Sequence, residues 1–188
     1  MDKLQEYEQK KDQLEDKFEL LSKEYNALRH ADDYRGFGWE FDVKLHNVVM
    51  PHDLRELFKL YPDLENESID IFEDFIAIKA DDLVSDLQRT FNWIGEGFQV
   101  GRGSGWLVLI DRDYENYEYN MSEIVNNIYY NDFEEADNAF LDCYSYVNDR
   151  AAELKTIKSY IHEYIGNLGD WFYGYLKEKG IIKDYTGE

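Results

Sequence analysis

No proline follows Pro62 in this chain, and from Phe133 onward an apolar side chain returns at every seventh position: Phe133, Phe140, Val147, Leu154, Ile161, Leu168 and Tyr175. Seven residues are close to two helical turns, so these side chains share one face and call for a long helix with something to pack against. The spacing predicts helix from about residue 132 to 165. Gly166 and Gly169 are then expected to break or bend it, because glycine costs about 1 kcal/mol relative to alanine in a helix interior.

A second periodic segment opens the chain. Leu4, Tyr7, Lys11, Leu14, Phe18, Leu21, Tyr25 and Leu28 alternate spacings of three and four without a slip. Such a narrow seam suits helix pairing, with Leu4, Lys11, Phe18 and Tyr25 at a and the remaining four at d. In a parallel homodimer Lys3, Lys10 and Glu24 would meet Glu8, Glu15 and Arg29 of the second copy, whereas antiparallel pairing brings Lys10 toward Lys17. Residues 1–33 are therefore expected to form a coiled-coil helix that dimerises, and residues 34–188 an acidic domain ending in the long helix. The competing reading packs the stripe on its own domain, which is the commoner use of an amphipathic helix but normally comes with a wider apolar face.

The segment between has strand and turn signals. Phe37, Trp39, Phe41, Val43 and Leu45 alternate with polar residues or glycine, as in a half-buried strand. Pro51 opens a short helix carrying Leu54, Leu57, Phe58 and Tyr61, and Pro62 stops it. Ile69, Ile71, Phe75, Ile76 and Ile78 suggest a second strand from Ser68 to Lys79. A helix capped by Asp81 or Asp82 follows, with Leu83, Leu87, Phe91 and Ile94 on its apolar face. Two short strands, Phe98 to Gly101 and Trp106 to Ile110, flank a glycine-rich turn and read as a hairpin. The expected class is α+β: a small mixed or antiparallel sheet with packed helices, a long N-terminal helix and a long C-terminal one.

Charge then separates the middle of the chain from its ends. The formal charge is −21, and residues 63–142 hold twenty Asp/Glu against four Lys/Arg. Hydrophobic content of 44% and aromatic content of 16% argue for a folded core rather than the disorder common in acidic chains. With Cys143 alone, no intrachain disulfide and no multi-cysteine zinc site can form, which fits a reducing cytoplasm. No run approaches the length of a membrane span, and a negative surface is repelled by anionic lipid and by nucleic acid alike.

Patterns that carry chemistry fail on their details. The glycine run 101–105 lacks the Lys-Ser/Thr of a phosphate loop and precedes a strand. His162-Glu163 begins like a zinc-protease helix, but Gly166 stands where the second histidine belongs. Asp111, Asp113, Glu115, Glu118 and Glu123 imitate a calcium loop, yet Asn116 replaces the turn glycine and Ser122 the closing glutamate. Trp39, Trp93 and Trp106 suit sugar stacking but fall on core positions, and Cys143 has no neighbour to activate it. Neither a catalytic residue, nor a metal site, nor a cofactor is expected.

The carboxylates themselves offer the sharper reading. Asp63/Glu67, Asp70/Asp74 and Asp82/Asp86 are four apart, and Asp111/Asp113/Glu115 two apart, with Glu118, Glu134, Glu135 and Asp142 extending the set. Residues four apart on a helix lie about 5–6 Å from each other, so such rows approximate a line of phosphates. Tyr114, Tyr117 and Tyr119, with Tyr129 and Tyr130 beyond, are the residues expected to anchor a protein contact. In composition the chain resembles the DNA-mimic inhibitors of phages and mobile elements, such as anti-restriction and some anti-CRISPR proteins: small, acidic, tyrosine-rich and poor in cysteine. The resemblance implies a cytoplasmic binding protein that occupies the groove of a basic, nucleic-acid-binding partner, a nuclease being the sharpest case. The alternatives are a dimeric coiled-coil scaffold whose charge only keeps it soluble, and a divalent-metal or carbohydrate-active enzyme.

Overall fold

A computed structural model describes residues 2–25, 37–45, 48–101 and 104–186. In chain order the elements are α1 (Lys3–Ser22), β1 (Phe37–Lys44), α2 (His52–Leu60), α3 (Pro62–Thr90), β2 (Ile94–Gly101), β3 (Ser104–Asp111), α4 (Tyr114–Tyr129), α5 (Phe133–Glu178) and α6 (Ile181–Thr186). The fold is α+β, with a three-stranded antiparallel sheet ordered β1-β3-β2. The chain divides into two compact units: residues 1–39 with 110–157, and residues 40–109 with 158–188. Thus α1 belongs to a unit with α4 and the first half of α5, whereas the sequence suggested a boundary at residue 33.

In the first unit α1 starts with a reciprocal capping box, Asp2 accepting from the Gln5 N–H while the Gln5 side chain accepts from the Asp2 N–H. Its d-position residues Tyr7, Leu14 and Leu21, and Tyr25 just past its end, are buried by the chain itself. Tyr7 lies 4.6 Å from Phe133, and Phe18 stacks on Tyr117 at 4.5 Å. Most of the described heptad seam is therefore covered within the chain. Tyr7, Leu14, Leu21 and Tyr25 are buried there, and Phe18 is half-buried against Tyr117. Leu4 remains 43% exposed and Lys11 pairs with Glu8 and Glu15 on α1, while Leu28 lies outside the described residues.

The second unit corrects the expected strand at 68–79. Leu64, Ser68, Phe72, Phe75, Ile76, Leu83 and Leu87 are buried at helical spacing, and α3 runs unbroken over 29 residues. β-branched Ile69, Ile71 and Ile78 made the segment look extended, but Ile78 faces solvent at 49% exposure. Ser68, mid-helix and fully buried, donates its hydroxyl to the Leu64 carbonyl at 2.7 Å, so no polar atom is orphaned. Pro62 divides α2 from α3 by forcing Tyr61 out of the helical region, then serves as the first helical residue. The turn into β2 is closed by Gln88, whose amide donates to the Ile94 carbonyl at 2.9 Å. Ile94, assigned from sequence to a helix face, begins that strand.

The seven-spaced apolar series of α5 is buried from Phe140 through Leu168, with Phe133 and Tyr175 half-buried at its ends. The helix does not break at its glycines; it continues for 46 residues. A Cβ on Gly169 would collide with the Val49 carbonyl, so this glycine admits a backbone rather than a bend. Around it Met50, Leu54, Phe72, Phe75, Leu168 and Phe172 form the core of the second unit. Helix α4 was not foreseen, although Tyr117, Ile124 and Ile128 are buried at helical spacing.

Candidate functional site

Helix α3 holds the most regular acidic feature. Asp63, Glu67, Asp70, Asp74 and Asp81 are all exposed, and their spacings of four, three, four and seven confine them to about 60° of helical arc. Phe72, Ile76 and Leu83 occupy the opposite arc and face the core. The stripe extends over about 27 Å at 1.5 Å per residue. Among the described residues, no cation lies within ion-pair distance of Asp63, Glu67, Asp74 or Asp81.

Asp82 and Asp86, expected to continue this row, leave it by about 100° and 140° of arc. Asp82 meets Lys79 at 4.0 Å; Asp86 pairs with Arg89 at 3.3 Å and accepts from the Tyr160 hydroxyl at 2.9 Å. Burial, followed by the Asp86 hydrogen bond and charge, holds the Tyr160 hydroxyl above the usual phenol range. These two carboxylates are engaged within the protein, and Asp81, expected as a helix cap, stands in the stripe where Asp82 was expected.

The first unit treats its acidic residues in two ways. At the end of β3, Asp111 is 2% exposed. Its Oδ2 accepts from Arg150 Nε at 2.8 Å, the Tyr146 hydroxyl at 2.9 Å and the Tyr25 hydroxyl at 3.1 Å, while Oδ1 accepts from the Asp113 N–H at 2.9 Å. Arg150 also reaches Asp113 through Nη2 and lies over the Tyr146 ring, 5.1 Å from its centroid. Tyr146 stacks on Tyr117 at 4.9 Å, continuing to Phe18.

Burial pushes the Asp111 carboxyl up, and the Arg150 guanidinium pulls against that shift. Burial and the neighbouring Asp111 charge hold the Tyr25 and Tyr146 hydroxyls far above the ordinary phenol range. For Arg150, burial works against the charge, but Asp111 and Asp113 keep the guanidinium protonated. This network joins β3, the start of α4 and the middle of α5.

Two expected contact residues are thus corrected: Asp111 and Tyr117 belong to the interior. Asp113, which pairs with Arg150, and Tyr114 are half-buried at its margin. The strand spacing read into 111–115 is a turn followed by the first turn of α4. The same change removes the calcium-like pattern, and among the described residues no group of three His, Cys, Asp or Glu is placed to hold a metal ion. A recess of about 30 Å³ beside Lys79, Leu83 and Tyr164 is far smaller than the roughly 300–1,000 Å³ of typical ligand pockets. Trp39 and Trp93 are core residues, and Cys143 is buried with burial pushing its thiol up to about 12.

Glu115, Glu118 and Tyr119 remain exposed on α4, and Glu134, Glu135 and Asp142 on α5. Glu135 and Asp142, seven apart, share a face; Glu134 points about 100° away. From 113 to 149 the chain contains no lysine or arginine, a gap that ends at the buried Arg150. That gap is the sequence signal for the first unit's acidic surface. Nothing local foretold that Arg150 would be used internally.

No protein family, curated protein or solved structure matches this chain. Among the described residues, no helix is long and apolar enough to cross a membrane.

Proposed function

We propose that this protein is a cytoplasmic binding protein that inhibits or regulates a basic, nucleic-acid-handling partner by occupying its groove, in the manner of a phage or mobile-element DNA mimic. The observation that carries this reading is the stripe Asp63, Glu67, Asp70, Asp74 and Asp81 on the solvent face of α3. Its carboxylates succeed one another at rises of about 4.5–10.5 Å, coarser than the phosphates of one DNA strand at about 3.4 Å but regular and single-signed. Self-repulsion along such a row opposes folding, and a basic groove would relieve it while gaining charge-assisted hydrogen bonds. The exposed carboxylates of α4 and α5 add a second acidic surface. Among the described residues no constellation of catalytic groups supports an enzymatic role, and the burial of Tyr7, Leu14, Leu21 and Tyr25 within their own chain weighs against the scaffold reading.

The test is capture of partners from the native host, followed by competition. A captured basic protein should release bound duplex DNA when this protein is added, with an affinity that falls steeply between low and moderate salt. A partner whose binding is indifferent to salt and to nucleic acid would overturn the proposal.

A further inference from the structure

The α4–α5 turn presents two tyrosines in an unusual setting. Tyr129 and Tyr130 are 78% and 69% exposed, and their rings meet edge to face with centroids 5.0 Å apart. The backbone beneath them is fixed. Asn131 takes the left-handed conformation (φ 58°), its N–H donates to the Ile128 carbonyl at 3.1 Å, and the Asp132 N–H donates to Asn127 at 2.8 Å. This double closure satisfies carbonyls at the end of α4, and Asp132 accepts from the Glu135 N–H at the start of α5. A capped turn therefore fixes the backbone beneath two exposed rings, and a tyrosine, with two side-chain torsions, costs a partner little to immobilise.

The charges carried by the turn's own segment are all negative. Helix α4 ends without a basic residue in its last turn, so the negative end of its dipole is uncompensated by its own side chains. Asp132, Glu134 and Glu135 follow within the next six residues, all exposed. The two glutamates also offset the positive end of α5, which is their ordinary structural use. That offset lessens the repulsion a cation would meet from the helix end; one cation of the protein, Lys3, already lies nearby, its Nζ 5.2 Å from the centroid of the Phe133 ring between these carboxylates.

We infer that Tyr129 and Tyr130, with Asp132 and Glu134 beside them, form a docking point for arginine side chains of a basic protein partner, selecting arginine over lysine. A guanidinium is planar: it stacks on a tyrosine face while donating sideways to carboxylates. A lysine ammonium is a compact point charge with no such plane. The inference rests on the basic-partner reading and adds to it a place and a side-chain preference.

The experiment titrates the intact protein at low salt with fluorescently labelled nona-arginine and nona-lysine peptides, followed by anisotropy. The wild type should bind the arginine peptide about two- to fivefold more tightly per stacked guanidinium, the range expected of an exposed cation–π contact. Tyr129→Ala/Tyr130→Ala should abolish that preference, lowering the arginine affinity more than the lysine affinity, with its melting temperature confirming the fold. Tyr129→Phe/Tyr130→Phe, which keeps the rings, should retain the preference. Equal binding of the two peptides by the wild type, or a preference that survives the alanine substitutions, overturns the inference while the acidic-surface reading stands. If neither peptide binds, both fall.

Discussion

Arg150 Nε donates to Asp111 Oδ2 at 2.8 Å inside the first unit, joining the middle of α5 to the end of β3 across 39 residues of sequence. The same carboxylate accepts from Tyr25 and Tyr146, so the ion pair is hydrogen-bonded as well as buried. Breaking such a pair from one side leaves a charge without compensation in the interior. Asp111→Leu or Arg150→Leu should each lower stability by about 3–5 kcal/mol, while the double replacement Asp111→Leu/Arg150→Leu should cost much less than their sum. Urea unfolding of the four proteins gives the coupling directly; additive losses would mean that the pair does not interact as the geometry requires.

The two glycines of α5 should respond to alanine with opposite signs. At Gly166 a Cβ meets no atom within 4 Å, so Gly166→Ala should gain up to about 1 kcal/mol of helix propensity. At Gly169 the Cβ would meet the Val49 carbonyl and the Met50 backbone, and Gly169→Ala should cost about 1–3 kcal/mol. Thermal melts of the two variants should therefore move in opposite directions.

Helix α1 should behave as part of a core. Leu14 is fully buried, and Leu14→Ala is expected to cost about 2–5 kcal/mol in an unfolding experiment. The loss should not depend on protein concentration, because the residue packs within its own chain; a strong concentration dependence would restore the intermolecular seam.

Tyr7 donates its hydroxyl to Asp137 at 2.6 Å, and that hydrogen bond, with burial and the Asp137 charge, pushes its pKa up from 10.0 to about 12. A phenol raised in the folded state stabilises it fully below the unfolded value. That contribution should be lost as pH rises from about 10 to 12. Asp137→Asn removes the charge that opposes ionisation, so the Tyr7 titration should move down toward 10, as followed by tyrosinate absorbance against a Tyr7→Phe control.

Much of this fold was legible because its helices obey periods that solvent and core enforce. The seven-spaced series of α5 and the three-four series of α1 both mark buried faces. What periodicity could not tell was which surface covers α1, since an intramolecular groove and a second copy demand the same apolar stripe. Segment 68–79 misled because Ile69, Ile71 and Ile78 favour strands locally, while packing of Phe72, Phe75 and Ile76 decided for helix. The acidic set was legible as composition, but not in its allocation. Asp111 was drawn inside by Arg150, and Asp82 and Asp86 were turned toward nearby cations, both outcomes of contacts distant in sequence or of helical phase. The α3 stripe becomes clear only when its register is counted through an unbroken helix.

The most direct measurement compares wild type with a variant neutralised along that stripe, Asp63→Asn/Glu67→Gln/Asp70→Asn/Asp74→Asn/Asp81→Asn, in displacing duplex DNA from the basic partner captured from the host. All five positions are exposed, so the variant should fold with an unchanged melting profile or a slightly raised one as repulsion is relieved. The acidic-surface account predicts displacement at least about tenfold weaker, the equivalent of some 1.4 kcal/mol, together with a shallower salt dependence. Displacement by the neutralised variant equal to that of the wild type at every salt concentration would contradict it.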